Sequence, residues 1–483
     1  MKIFIINIYL CIITNQYYQM KKFPILILVL LFAFTTSFAQ NKYKLLDSLF
    51  NTLHQHHQFN GNVLIAENGI PIFQKSYGKA DELTQRMLNA ESVFELASVS
   101  KQFTATGIVI LQKQGKLSYD DEVAKYIPEL GFYKSITIRH LLNHTGGLPD
   151  YMGIFESKWD KTRFATNEDI IKEFAKVKPE VNFLPNAKFE YSNTGYALLA
   201  SIIERVSKQS YGDFLSQYIF KPLKMNHTMV YRSRYKPKKI ENYALAYVQD
   251  STGKKVLLNS YGKQFYTYYL DGIVGDGMVN STTGDLLKWD QALYTDKLIN
   301  AQDKEQILRP SATTDGNKND YGFGWSVKND KTYGRIASHS GGWAGYITYI
   351  ERQPDKNKTI IILQNNETPQ TKTPVTAVRS ILYNEKVEIE DLKAVHLSDE
   401  ELAKYSGTYA SPDFPMKLKV FVRDNALYGQ ALAEKQEAFK LDAYENHLFR
   451  FERAAVKMIF YPAQNTLDFS QGKSIKVLFT KEP

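Results

Sequence analysis

Three short groups of residues could supply a nucleophile, a proton carrier and an anchor for developing charge. The first is Ser98-Val99-Ser100-Lys101. In a helix, residues three apart share a face, which sets the Lys101 amine beside the Ser98 hydroxyl. A serine in the first turn also lies among unpaired backbone N–H groups at the positive end of the helix dipole. That setting favours a deprotonated nucleophile and an oxyanion formed next to it. The second group is Tyr191-Ser192-Asn193, expected in a loop just before an apolar helix. The third is His339-Ser340-Gly341-Gly342, expected at the end of a strand, with glycines that let a substrate approach the backbone. Spelling alone singles out none of them. Ser-x-x-Lys recurs at Ser76, Ser233, Ser251, Ser260 and Ser470, while Tyr444-Glu445-Asn446 and His144-Thr145-Gly146 match the other two groups equally well. Ser98 differs by its position, because it opens the run Phe103, Ala105, Ile108, Val109, Ile110 and Leu111, which ends at Gly115 and suits a buried helix.

A serine hydroxyl is a poor nucleophile until a neighbour takes its proton. Free lysine and tyrosine titrate near ~10, so either must be tuned downward to act as a base near neutrality. Lys101 and Tyr191 packed together can do this, since each charged form stabilises the other. Other chemistries find less support. His140 and His144 stand one helical turn apart, but Leu141 occupies the place where a metalloprotease would carry its Glu, so no metal site is read. His54, His56 and His57 fit an exposed helix end. The glycine-rich Gly275-Asp276-Gly277 is followed by no Gly-Lys-Ser/Thr and resembles no phosphate loop. The single cysteine, Cys11, precedes the mature chain expected below, which excludes disulfides and thiolate metal sites there. No cofactor is expected.

The elements that must position these groups follow from periodicity. An amphipathic helix from Lys42 to Phe59 leads into a hairpin, with Gly61–Ala66 and Ile70–Lys75 flanking Glu67-Asn68-Gly69. Helices are expected over Thr137–Asn143, Asp169–Val177, Gly195–Val206 and Tyr211–Phe220, the second with a capping-box-like Thr166-x-x-Asp169. Another helix runs to Leu293 with Ser281 as its cap. Strands follow at Tyr321–Val327, Tyr333–Ser338, Tyr346–Arg352 and Thr359–Gln364, and consecutive hairpins imply an antiparallel sheet. A helix from Val375 to Tyr383 closes this part. The expected class is α+β: an antiparallel sheet flanked by helices, plus a helix-rich lobe. After a polar linker at 386–397, residues 398–483 are almost wholly short alternating strands, as in a small antiparallel barrel or sandwich.

The 483 residues are too many for one ordinary core, and 32 Tyr and 28 Phe are ample for packed interiors. Met20-Lys21-Lys22, the apolar Phe23–Phe34 and Ser37-Phe38-Ala39 form a secretory signal pattern, with cleavage expected after Ala39 and translation starting at Met20. The domain reading is therefore 1–39 signal region, 40–385 main domain, 386–397 linker and 398–483 small β domain. The apolar run is too short to span a bilayer well, so no stable membrane span is expected in the mature protein. The formal charge of +9 becomes +6 without Lys2, Lys21 and Lys22, spread along the chain with no basic block that would suggest nucleic acid.

Taken in order, Ser-x-x-Lys at a helix start, Tyr-x-Asn in a loop and His-x-Gly on a strand resemble the serine β-lactamase and penicillin-binding-protein superfamily. The branch they resemble includes class C β-lactamases, D-alanyl-D-alanine carboxypeptidases and related esterases. Phe59-x-Gly61-x-Val63-Leu64, His144-Thr145-Gly146-Gly147-Leu148-Pro149 and Tyr321-Gly322-Phe323-Gly324-Trp325 look like that branch too, and the resemblance spans about 45–385. It implies that Ser98 is acylated and that Tyr191 and Lys101 exchange its proton, with either as the base. It implies that Asn193 orients Lys101 and the substrate amide, and that the N–H groups of Ser98 and Gly342 form the oxyanion hole. The substrate would be a small molecule or peptide carrying an ester or amide, including cell-wall peptides and β-lactams. His339 stands where many relatives have Lys; it lacks a permanent cation for a substrate carboxylate, which favours an esterase or peptidase over strong penicillin hydrolysis. The tail resembles lipocalin-like domains appended to some of these hydrolases. A non-catalytic binding protein on the same fold is the alternative.

Overall fold

The computed structural model describes residues 41–483 except 318, 388, 390–392, 433–436, 452–453, 455 and 473–474. The expected signal segment lies outside the described residues. The chain divides into two compact units, one built on 59–387 with the preceding residues up to Asn51, the other on 388–483 with Thr52–Gln58.

The first unit is organised by a six-stranded antiparallel sheet in the order Ser326–Asp330, Gly334–Trp343, Tyr346–Gln353, Lys358–Gln364, Gly61–Glu67, Ile70–Tyr77. The N-terminal hairpin turns through Asn68 and Gly69, both at positive φ, as a two-residue turn matched to strand twist requires. Its first strand then pairs along its length with Lys358–Gln364. The sheet is thus assembled from the two ends of the unit, with most of the helices between them in the chain. The Lys101–Lys113 helix is buried from Lys101 to Leu111, which its apolar sequence dictates. A Cβ on Gly107 would come within 2.8 Å of Ile203 in the Asn193–Ser207 helix, so these two helices meet closely. The helix Asn167–Val177 starts at the capping box foreseen at Thr166 and Asp169. Short helices at Ile138–Leu142 and Tyr211–Leu215 and a C-terminal one at Val375–Leu382 complete the set read from the pattern.

Some boundaries differ from the sequence reading. Residues 321–325 form no strand apart from an isolated bridge at Tyr321; the strand begins at Ser326. The reason is packing, because a side chain at Gly324 would press to 2.8 Å from the Lys101 carbonyl, and its φ of +76° suits glycine. The next strand runs on to Trp343, so His339–Gly342 lie within it rather than beyond its end. The helix Thr283–Ala292 is capped by Thr282, whose hydroxyl accepts from the Asp285 N–H, whereas Ser281 shares a hydrogen bond with Thr228. The lead-in helix stops at 55, short of Phe59.

The second unit contains a closed eight-stranded antiparallel barrel from Gly407–Ser411 to Ile475–Lys481, resolving barrel against sandwich. Closure comes from pairing of the last strand with the first at Tyr409–Lys481 and Ala410–Thr480. Its interior is filled by Leu418, Val420, Leu427, Phe449, Met458, Phe460, Leu467 and Phe479. Among the described residues, no helix is long and apolar enough to cross a membrane.

Candidate active site

Ser98 does not lie in the α-helix itself. It sits on a 3-10 turn, Ala97–Ser100, and the α-helix begins at Lys101. Ala97 holds φ at +48°, an uncommon state for a residue with a Cβ, and this kink follows the short strand Phe94–Glu95 and presents Ser98. The kink is held on both sides. Thr348 Oγ1 donates to the Leu96 carbonyl at 2.7 Å, and Leu96 N donates to the Val279 carbonyl at 2.8 Å. Gly341 is required alongside, since a Cβ there would meet the Leu96 carbonyl at 2.3 Å.

The expected Ser98–Lys101 pairing is present across this turn. Lys101 Nζ lies 3.0 Å from Ser98 Oγ, 3.0 Å from Asn193 Oδ1 and 2.8 Å from the Asp276 carbonyl oxygen. Lys101 is wholly buried. Asn193 Oδ1 and the Asp276 carbonyl can only accept, so they take two N–H bonds from the amine. In an ammonium the third proton points at Ser98; in a neutral amine a lone pair does, ready to receive the hydroxyl proton. Asn193 is itself fixed by Asp150 Oδ2, which accepts from its backbone N–H at 2.9 Å and from Nδ2 at 3.0 Å. Asp150 also caps the helix Tyr151–Lys158. Sequence reasoning missed Asp150; an acid after Leu148-Pro149, just before a helix, was the available signal. The Asp276 carbonyl was also missed, and a backbone acceptor leaves no signal in residue type.

Tyr191 brings its ring, not its hydroxyl, to this group. The ring lies 4.9 Å from Lys101 Nζ and 4.3 Å from the His144 ring. Among the described residues, no hydrogen bond joins its hydroxyl to Ser98 or Lys101. His144 is buried; Nδ1 accepts from the Ser192 N–H at 3.2 Å, and Nε2 has no partner among the described residues. Burial, with Lys101 and His339 nearby, drives His144 well below the usual histidine range.

His339 is equally committed inside the protein. Its Nδ1 lies 2.6 Å from the Ser340 carbonyl and its Nε2 2.8 Å from Tyr321 Oη. A carbonyl needs a donor, so Nδ1 carries the proton and Tyr321 donates to Nε2. Burial first, then the Lys101 charge, pushes His339 down to about 3, so it is neutral near pH 7. The sequence marks Tyr321 only as a strand start and as part of the Tyr321–Trp325 motif; in the structure its hydroxyl positions the histidine.

A cavity of about 160 Å³ opens beside Ser98, lined by Asn193, Asp276, Gly342 and Trp343 among others. A side chain added to Gly342 would meet open space. The strand Ser326–Asp330 pairs only as far as Ser338, so residues 339–343 have one strand neighbour and lie open to the Ser98 turn on the other edge. Ser98, Asn193 and Gly342 therefore face one cavity, with Lys101 behind Ser98; His339 and Ser340 are not among its lining residues.

Residues 46–383 match the Beta-lactamase family. The chain belongs to that family. Over 449 residues, 91% of this chain and 94% of the relative, it is 40% identical to penicillin-binding protein 4* of Bacillus subtilis (strain 168). A D-amino acid amidase from Ochrobactrum anthropi SV3 superposes with a TM-score of 0.58 at 25% identity, covering 71% of this chain and 99% of that one. The penicillin-binding protein homologue of Pyrococcus abyssi shares the fold, with a TM-score of 0.63 at 23% identity over 90% and 99% of the two chains. The Beta-lactamase family thus gathers serine hydrolases around the fold that this sequence adopts.

Proposed function

We propose that the protein is an exported serine hydrolase that cleaves an ester or amide bond through a Ser98 acyl-enzyme. The observation that carries this reading is the Lys101 amine, buried and held by two acceptors, 3.0 Å from Ser98 Oγ. Ser98 Oγ bonds to the substrate carbonyl carbon as its proton passes to Lys101 or Tyr191. That proton goes to the leaving amine or alkoxide as the C–N or C–O bond breaks. Water then adds to the acyl carbon, releasing the acid and returning a proton to Ser98. The N–H groups of Ser98 and Gly342 hold the oxyanion in both steps, and Asn193 fixes Lys101 and the substrate amide.

Relatives named as a penicillin-binding protein and a D-amino acid amidase support an amide or a β-lactam as acyl donor. The neutral, fully bonded His339 supplies no cation for a substrate carboxylate, which favours esters and amides lacking one at that place. The leader pattern at residues 20–39 supports a periplasmic or extracellular location.

The test is hydrolysis of a short-chain p-nitrophenyl ester and of nitrocefin, with mass spectrometry for a labelled-penicillin adduct. Wild type turns over at least one substrate or carries the adduct on Ser98, and Ser98→Ala does neither. Activity retained in Ser98→Ala sinks the assignment. An adduct without turnover of any ester, amide or lactam makes the protein a covalent binder or sensor instead.

A further inference from the structure

A second cavity, of about 260 Å³, lies in the first unit and shares Glu95 and Trp343 with the Ser98 cavity. Four cationic side chains line it: Arg86, Arg234, Lys238 and Lys239. Among the described residues, none of the four forms a salt bridge. Arg234 is occupied by Thr267 Oγ1, the Leu258 carbonyl and Asn259 Oδ1. Arg86 is not. Its Nη2 donates to the Tyr243 carbonyl, but Nη1 is buried with no partner among the described residues. A buried guanidinium N–H left unmade is costly, and a carboxylate oxygen is the partner whose geometry it fits.

The two carboxyls in this cavity do not neutralise it. Asp271 accepts from the backbone N–H groups of Arg234 and Tyr235 at 2.8 and 2.7 Å. Glu95 is 4% exposed and its carboxyl makes no hydrogen bond with any described residue. Burial, with Asp271 nearby, lifts Glu95 to about 8, so near neutrality it keeps a proton and can donate. The cavity is therefore lined by two guanidinium groups, that of Arg86 with an unmade N–H, two exposed lysines and a carboxylic acid, with positive charge in excess.

We propose that this cavity binds a carboxylate-bearing group, with Arg86 as its principal contact and Lys238 and Lys239 at its mouth. The group comes either from the acyl chain of a substrate bound at Ser98, whose cavity shares Glu95 and Trp343 with this one, or from a free carboxylate ligand. Only the first source rests on the acyl-enzyme reading.

Calorimetric titration with adipate, against neutral adipamide, tests the site without catalysis. Adipate binds and adipamide does not, and Arg86→Gln weakens adipate by at least about tenfold. The double variant Lys238→Gln/Lys239→Gln, which alters only exposed positions, weakens it too and keeps the test valid if Arg86→Gln fails to fold. No adipate binding to wild type, or equal binding in wild type and the variants, overturns the proposal. The source is decided by comparing kcat/KM for mono-p-nitrophenyl adipate and p-nitrophenyl hexanoate. A preference for the adipate ester that collapses about tenfold in Arg86→Gln, with hexanoate unchanged, identifies the acyl chain. Adipate binding without ester discrimination identifies a free ligand.

Discussion

At the scale of single residues, the candidate site is a chain of dependence running from Asp150 through Asn193 and Lys101 to Ser98. Asp150→Ala leaves the Asn193 N–H and Nδ2 groups without their acceptor and uncaps the Tyr151–Lys158 helix. The expected cost is about 1–2 kcal/mol of stability from the lost cap. The hydrolysis rate should also fall at least about tenfold, with Asn193 and Lys101 intact, the scale on which a misplaced positioning group acts. Steady-state kinetics beside a urea melt separate the two effects; a lowered melt with full kcat would make Asp150 merely structural. Tyr191→Phe asks a different question. The ring stays packed on His144 and over Lys101, and only the hydroxyl goes. Among the described residues that hydroxyl bonds to neither Ser98 nor Lys101, yet proton-transfer contacts often tighten only once substrate is bound. A loss on the order of 10² in kcat/KM is expected, the scale of general acid–base catalysis. A near-normal rate would leave Lys101 as the base.

Elements decide what those residues experience. His339 lies on a strand that buries it, and the folded state holds it at about 3, below the ordinary 6.5. Between those values the unfolded chain binds the extra proton, so stability rises with pH across that window and falls as acid is added. His144 is shifted in the same direction and contributes in the same sense. His339→Gln should therefore lose less stability than wild type between pH 7 and about 4.5, measured as the shift in urea midpoint. An equal loss in both would show that His339 is not buried neutral. The same scale explains what the sequence made legible. The Asn68-Gly69 turn, the Thr166 capping box and the Ser98–Lys101 spacing are local rules, and they survive into the structure. The strand assigned to Tyr321–Val327 does not, because Gly324 packs on the Lys101 carbonyl from a distant part of the chain. Local alternation could not register that contact. Ser281 lost its capping role to Thr282 for a like reason, since its hydroxyl bonds to Thr228. His339 was legible as a residue near the chemistry, but its neutral, twice-bonded state depends on Tyr321 and the buried strand.

Over the whole molecule, two cores are built by different logics. The sheet of the first unit joins strands nearly three hundred residues apart, Gly61–Glu67 and Lys358–Gln364, and the turn and helices that carry Ser98, Lys101 and Asn193 lie between them in the chain. The barrel of the second unit closes Gly407–Ser411 onto Ile475–Lys481, a pairing that strand alternation foreshadows without choosing between barrel and sandwich. Phe449 tests the division. It is fully buried in the barrel, with ring centroids 4.8 Å from Tyr405 and 5.4 Å from Phe460. Phe449→Ala removes a large side chain from a packed interior, at an expected cost of about 3–5 kcal/mol to that unit. Every residue proposed for catalysis belongs to the other unit, which has a hydrophobic core of its own. Calorimetry of the variant should show a transition moved to lower temperature, while labelled penicillin still acylates Ser98 at the wild-type rate. Acylation lost in step with the barrel would mean that the Ser98 site depends on residues 398–483, and that the two cores act as one.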